Sequence, residues 1–360
     1  MTVDDRNIIW LDLFEFLTYQ KKIKILKIFD KGKDIKSAFL SNRYIRDVLT
    51  ETEISKMANL LDNQILDRYI QKFQSDNIIM ITINDDRYPK LLKEIDSPPL
   101  CLYCKGNVQL LNTLSIAVVG TRRPTDYGIV TTKQFVKELS KYNITIISGL
   151  AVGIDTIAHK TALENQGKTI AVLAGGLYHI YPAVNQALAR TISENNLILS
   201  ENSPNIAPLG YYFPIRNRII AGLSNAVLIP EAGLNSGSMH TKKFASDFHR
   251  EIFAIPGKIN SEMSKGPNEI IKRLDGIITL SPDDILDALH INKKNNNKNF
   301  VIQLDIEQQS VLNYIQTEKK TFQEIADYTK IPTSELNSIL LELEMNGLVT
   351  KLANNSFIKS

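Results

Sequence analysis

From residue 115 onward, short apolar runs rich in β-branched residues alternate with helix-length amphipathic stretches, and this constrains the fold more than any other feature. The runs fall at 116–119, 144–147, 169–173, 197–199, 226–229, 252–255 and 277–280. Four or five residues make a strand, and each intervening segment is long enough for a crossover helix. Repeated βα units give an α/β protein with a parallel, doubly wound sheet. In such sheets ligands sit beyond the carboxyl ends of the strands. The unusual residues of the chain stand there. Gly120-Thr121-Arg122-Arg123 follows the first run, Ser148-Gly149-Leu150 the second and Gly175-Gly176 the third. Ser200-Glu201 follows the fourth and Pro230-Glu231-Ala232-Gly233 the fifth.

The flanks differ in character. Residues 1–84 carry apolar residues at helical spacing (Ile8, Leu11, Phe14, Phe16, then Ile23, Leu26, Ile28, Phe29) with lysines among them, which predicts a small helical domain. The sheet-forming domain spans 85–290. Residues 291–299, rich in Asn and Lys with no apolar anchor after Ile291, read as a linker. Beyond it, 300–360 hold helical segments at 306–315, 322–328 and 334–345, then a hairpin with an Asn354-Asn355 turn, which together predict a winged helix.

Charge is uninformative at the level of the whole chain: 42 basic residues against 39 acidic leave a net +3. The acidic start, Asp4-Asp5, lacks the basic flank of a signal peptide, and no apolar run approaches the roughly 18 residues of a membrane span. The expectation is a cytoplasmic protein with no membrane partner. Cys101 and Cys104 form a C-x-x-C without the second pair that completes a tetrahedral zinc site, so idle reduced thiols are expected and no metal.

Glycine after the first strand invites a dinucleotide, but Gly120 is followed by Thr121-Arg122-Arg123-Pro124 and the next glycine is Gly128, so the second glycine of that fingerprint is missing. A P-loop fails too. Only Gly167-Lys168 is followed by Thr, and the residue five before Gly167 is Ala162. No cofactor is expected.

What remains favours an anion. Ser236-Gly237-Ser238 precedes a helical segment at 240–250, so its hydroxyls and free N–H groups lie at a helix N-terminus. Arg122, on a strand-to-helix loop, can bond a phosphate with two donors. Either feature alone is explained by capping or solvation; together at one sheet edge they point to a ligand. The segment Tyr211-Tyr212-Phe213-Pro214-Ile215-Arg216-Asn217-Arg218 interleaves three aromatics with two arginines and no acid, the combination that binds single strands. Plain core is the alternative for those rings. Arg216 and Arg218 are two apart, so on a helix only one is expected to meet ligand while the other is pinned.

Asp155, Glu201 and Glu231 stand at strand ends, where Mg²⁺ is conceivable but helix-dipole stabilisation suffices. His159, one turn after Asp155, suggests a buried Asp–His pair. No nucleophile constellation emerges, so no catalytic residue is assigned. In 300–360 there are 5 basic and 8 acidic residues, and the presumptive recognition helix carries Glu335, Glu342 and Glu344 with no Lys or Arg. Phosphate contacts dominate DNA affinity, so this module is expected to bind protein.

The ordered motifs resemble the DprA/Smf family of bacterial DNA-processing proteins. They are Arg87-Tyr88-Pro89, Pro98-Pro99-Leu100 and Lys105-Gly106; Val118-Val119-Gly120-Thr121-Arg122 with Tyr127-Gly128; Ser148-Gly149-Leu150-Ala151 with Gly153-Ile154-Asp155 and Ala158-His159; and Tyr181-Pro182. Further along come Leu199-Ser200-Glu201, the run from Phe213 to Ser224, Glu231-Ala232, Ser236-Gly237-Ser238 and Pro256-Gly257. The similarity runs from about Tyr88 to Leu289, with a winged-helix appendage.

The resemblance implies an extended Rossmann-like, mostly parallel sheet between a SAM-like helical domain and the winged helix. It implies single-stranded DNA binding without catalysis, a homodimer, protection of incoming DNA in natural transformation, and help in loading the RecA recombinase. Carried over by motif, the expected DNA contacts are Gly120, Arg122, Ser148, Gly149, Phe213 as stacking aromatic, Arg216, Asn217, Arg218, Ser236, Gly237 and Ser238. Many members have lysines where this chain has Gly210 and Ala183; Lys242 and Lys243 are the expected replacements. Two alternatives compete. A phosphoribohydrolase needs P-G-G-x-G-T-x-x-E, whereas this chain runs from Pro230 to Ser238 without it and has His240 and Thr241 where the catalytic Glu belongs. A winged-helix regulator of duplex DNA is the other.

Overall fold

All seven runs become strands, their ends displaced by a residue or two, and two more strands extend the sheet. The computed structural model describes residues 1–360 except 30, 60, 62, 292–303, 317, 353, 354 and 360. Among the described residues the main sheet has β1 (Ile79–Thr82), β2 (Cys101–Gly106), β3 (Ser115–Val118), β4 (Thr145–Ser148), β5 (Lys168–Val172), β6 (Leu197–Ser200), β7 (Ala226–Ile229), β8 (Glu251–Ala254) and β9 (Ile277–Ile278). Their order is β1-β2-β6-β5-β4-β3-β7-β8-β9. The pairs from β6 through to β9 are parallel, while β2 runs antiparallel to β6 and β1 antiparallel to β2. From β3 the chain winds outward through β4, β5 and β6, then returns to lay β7 on the other side of β3. That reversal is the switch point at which a doubly wound sheet opens a crevice.

The helices are α1 (Val3–Asp12), α2 (Tyr19–Ile28), α3 (Ile35–Ala38), α4 (Glu51–Ala58), α5 (Asn63–Ser75), α6 (Lys90–Lys93), α7 (Asp126–Lys141), α8 (Ile154–Glu164), α9 (Gln186–Asn195), α10 (Tyr212–Leu223), α11 (Ser238–Asp247), α12 (Lys265–Lys272) and α13 (Pro282–Ala288). Strand alternation sends residues to opposite faces. Ala117, Ile147, Val172 and Val227 meet Ile219 and Ile220 of α10 and Ala245 of α11 on one face. Ile116, Ile146 and Leu228 meet Phe135 of α7 and Ala158 of α8 on the other.

The helices of the first 75 residues share a core with the sheet. Trp10 packs edge-on against Phe14 and Phe39, with centroids 5.2 and 5.4 Å away, and the same cluster takes in Tyr103, Leu173 and Ile198. A buried polar tie accompanies it: the Tyr103 hydroxyl donates to Asp12 Oδ2 at 2.9 Å, and Lys22 pairs with Asp12 at 2.8 Å. Strand β1 lies inside the stretch read as helical. Its apolar run carries no period of its own, and only pairing with β2, more than twenty residues on, makes it a strand. β2 ends at Gly106, φ 111°, where an added Cβ would collide with the Asn196 carbonyl.

Cys101 and Cys104 face opposite sides of β2, one in each core, so they share neither a metal nor a bond. Burial pushes both thiols up, Cys104 to about 12. The C-terminal module has α14 (Ile306–Ile315), α15 (Phe322–Thr329) and α16 (Thr333–Met345) with a sheet of order β10-β12-β11, formed by Lys320–Thr321, Ser356–Lys359 and Val349–Leu352. Its own core includes Leu312, Ile325, Leu340 and Phe357. Capping boxes at Asp305/Gln308 and Thr321/Glu324 start α14 and α15. The linker expected at 291–299 lies outside the described residues from 292 on, as does Asn354 of the hairpin turn. Among the described residues no helix is long and apolar enough to cross a membrane.

Trp10→Ala is expected to cost about 3–5 kcal/mol. Because its cluster is continuous with the sheet, helices and sheet should lose stability together, as read by denaturant titration followed by circular dichroism. An early transition of the helices alone, with the sheet midpoint unmoved, would contradict the shared core.

Candidate nucleic-acid interface

The loops after β3 and β7 enclose a cleft of about 910 Å³ at the switch point. Its walls include Gly120, Arg122 and Arg123 after β3, Phe213, Arg216 and Asn217 of α10, and Ser236, Gly237 and Ser238 at the start of α11. A smaller slot of about 70 Å³ adjoins it beside Tyr181, with Arg122, Phe213 and Arg216 common to both. The cleft lining holds four cations (Arg122, Arg123, Arg216, Lys265) and two carboxylates that also face it, Asp155 and Glu262; Glu262 pairs with Lys265.

The Arg122 turn is held from behind. Thr125 caps α7, accepting from the Gly128 N–H at 3.3 Å. Its own N–H and hydroxyl donate to the buried Glu231 carboxylate at 2.8 and 2.6 Å, while the Thr121 N–H donates to the Glu231 carbonyl at 2.8 Å. Gly120 is required because a Cβ would come 2.5 Å from that carbonyl oxygen. Glu231 is therefore a strut between the β3 and β7 loops.

Helix α10 presents its first turn to the cleft. Phe213 meets Tyr181 edge-on, with centroids 5.6 Å apart. Arg216 is 8% exposed, donates from Nη1 to the Val172 carbonyl, and from Nε to Asn217 Oδ1 at 3.2 Å. Asn217 Nδ2 in turn donates to the Gly237 carbonyl at 3.1 Å, joining α10 to the α11 start. Burial pushes Arg216 down to about 10 against the pull of Asp155, which leaves it charged at neutral pH. Arg218 points elsewhere, into an ion pair with Glu201. Arg218, expected among the DNA contacts, is therefore the pinned member of the pair and lies off the cleft lining, while Arg216 stands on the cleft wall. The N-cap of α11 is Gly237, with no side-chain cap; Ser236 and Ser238 hydroxyls bond each other at 2.8 Å.

Several expectations need correction. Ser148 is fully buried and donates to the Val118 carbonyl at 2.7 Å, so it supports the cleft from beneath. Gly149 lies behind Arg216: a Cβ there would come 2.5 Å from Asp155 Oδ2 and 2.6 Å from Arg216 Nη2. Lys242 pairs with Asp275 at 2.7 Å, and neither it nor Lys243 lines the cleft, because only the first residues of α11 face it. Arg123 and Lys265 are the additional cations that spacing did not single out. His159 does not pair with Asp155. Its Nε2 donates to the Gly149 carbonyl and its Nδ1 meets the Thr169 hydroxyl, both at 2.6 Å; that hydroxyl also reaches the Ile146 carbonyl at 2.8 Å, and burial keeps the ring neutral by pushing its pKa down to about 4. Asp155, Glu201 and Glu231 are engaged separately, and among the described residues no cluster of three metal-ligating side chains occurs. Asn185 was missed. Buried three residues after Pro182, it donates to the Leu150 carbonyl at 2.9 Å and to Thr156 Oγ1 at 2.8 Å, fixing the loop under the slot.

Comparison with known proteins agrees with this geometry. A family model described as DNA recombination-mediator protein A matches residues 79–290, and a DprA winged helix domain model matches 302–355. DNA processing protein DprA of Streptococcus pneumoniae is 41% identical over 223 residues, covering 62% of this chain and 77% of its own. Its Bacillus subtilis counterpart is 38% identical over 225 residues, 62% and 75% of the two chains. The X-ray structure of the Streptococcus pneumoniae protein superposes with a TM-score of 0.68 at 34% identity, over 80% of this chain and 98% of that one. DNA processing protein A from Helicobacter pylori, solved for its single-stranded DNA binding mode, gives 0.54 at 35% identity over 59% and 95%. With more than half of the chain matched by the family model, the chain belongs to the DNA recombination-mediator protein A family, the DprA/Smf proteins.

Proposed function

We propose that this protein is a non-catalytic, cytoplasmic single-stranded DNA-binding mediator that protects incoming DNA in natural transformation and helps load RecA onto it. The observation that carries the reading is the convergence of Arg122 and Arg216 with the Phe213–Tyr181 aromatic pair at one cleft. Guanidinium groups take phosphates, and exposed rings take any base, since every base has a π-face. A duplex hides those faces, so single strands fit better. Gly120, Arg122, Phe213, Arg216, Asn217 and residues 236–238 are the proposed contacts. In this reading residues 1–84, whose last strand β1 joins the main sheet, 85–290, 291–299 and 300–360 are helical domain, DNA-binding domain, linker and winged helix, with the acidic α16 face serving a protein partner. The phosphoribohydrolase alternative is disfavoured by His240 and Thr241 where its catalytic Glu belongs.

We assign the homodimer contact to the β9 edge. Among the described residues β9 ends the sheet with one side unpaired, and Leu274, Ile278 and Leu280 around it are 90%, 49% and 73% exposed. Apolar exposure at an open edge is what a second copy would cover.

Fluorescence anisotropy with labelled oligothymidylate and with duplex should show preference for the single strand; equal or tighter duplex binding overturns the reading. Arg122→Ala should weaken binding and shallow the slope of log affinity against log salt by about 0.7. Phe213→Ala should cost about 1–3 kcal/mol with the slope unchanged. Ile278→Lys should yield monomers in sedimentation equilibrium, and a dimer that survives it places the contact elsewhere. In a RecA ATPase assay on single-stranded DNA, the protein should shorten the lag before filament assembly.

A further inference from the structure

Among the described residues, one carboxylate on the cleft wall has no direct ion pair. Asp155, on the first turn of α8, is 8% exposed and takes the Ala151 N–H at 3.3 Å. Several groups face it. The Arg216 guanidinium from α10 lies across Gly149, Arg122 approaches from the β3–α7 loop, and the Ser148 hydroxyl lies beside it. His159, one turn along α8, is buried and neutral. Burial pushes the Asp155 carboxyl up, against the pull of Arg216, its neighbouring hydrogen bonds and Arg122.

We propose that Asp155 is a proton-linked residue of the DNA cleft: ionised in the free protein as counter-charge to Arg216, it takes up one proton from solvent when a phosphodiester occupies the Arg122–Arg216 site. This rests on the single-stranded DNA reading. A phosphodiester is always anionic, and a second negative charge beside a carboxylate already buried to 8% exposure disfavours its ionised form, so the titratable group is the one neutralised. The phosphate then replaces Asp155 as partner of Arg216, and no covalent bond changes. The sign follows from linkage. Proton uptake on binding makes affinity rise as pH falls, by at most about tenfold per pH unit for one proton, until Asp155 is protonated in the free protein as well. His179, in the adjoining slot, and His240, on the cleft wall, are the other groups whose protonation would favour an anion. His159, held at about 4, stays silent.

The test uses the full chain and labelled oligothymidylate at fixed ionic strength, with affinity measured from about pH 5.5 to about pH 8.5. Calorimetry in two buffers of different ionisation enthalpy counts the protons taken up. Wild type should bind more tightly toward low pH with uptake of up to one proton. The isosteric Asp155→Asn should flatten the profile and, at about pH 8, bind more tightly than wild type, the opposite of what structural damage would do. Three results overturn the proposal: binding by wild type without pH dependence or proton uptake, Asp155→Asn weaker than wild type at every pH, or a slope that survives Asp155→Asn and vanishes in His179→Gln/His240→Gln. If Asp155→Asn does not fold, the proton count of His179→Gln/His240→Gln decides: uptake that persists there supports Asp155, and uptake that vanishes overturns it. No binding at any pH removes the single-strand reading and this proposal with it, whereas tight, pH-flat binding removes only the role of Asp155.

Discussion

Glu231 is the residue on which the cleft hangs. Its carbonyl takes the Thr121 N–H and its carboxylate takes two donors from Thr125, so one residue after β7 clamps the loop after β3 across the switch point. Buried and 1% exposed, the carboxylate is satisfied by charge-assisted bonds that no water competes for. The crevice of a doubly wound sheet exists wherever the winding reverses, but its walls are loops. Here the loops are made rigid from beneath, which leaves Arg122 and Arg123 free to face outward.

The same economy appears around α10. Its two arginines, two residues apart, leave the helix on different sides: Arg218 is consumed by Glu201, and Arg216 lies along the floor of the cleft with its Nη1 on the Val172 carbonyl. Asn217 between them ties the helix to Gly237. Positive charge is thus concentrated at one place in a domain of nearly balanced sign, and a net charge close to zero conceals a cleft where cations outnumber acids. Tyr19 and Tyr212 line a further cavity with Arg218 and Glu201, so the N-terminal helices abut the helix that carries the cleft.

The parallel strands were legible because each is a short buried run, and parallel sheets announce themselves by such runs between helix-length segments. β1 and β2 were not, because an antiparallel edge is defined by its partner rather than by its own pattern. Of the residues expected at the site, those whose chemistry is unusual for their place line the cleft: Arg122, Phe213, Arg216 and the Ser236–Gly237–Ser238 turn. Ser148 and Gly149 carry the same motif strength yet sit under the surface, since motif membership does not distinguish a lining residue from a support. Lys242 and Lys243 looked available only while Asp275, more than thirty residues away, had no known position.

The sequence alone determined the α/β winding, the winged helix and the family, because periodicity and motif spacing are local properties of the chain. The tertiary structure alone decided which charges are spent and which are free. Ion pairs such as Arg218–Glu201 and Lys242–Asp275, and the placing of Asp155 across Gly149 from Arg216, join residues far apart in the chain. Only folding sets the distances on which their electrostatics depend.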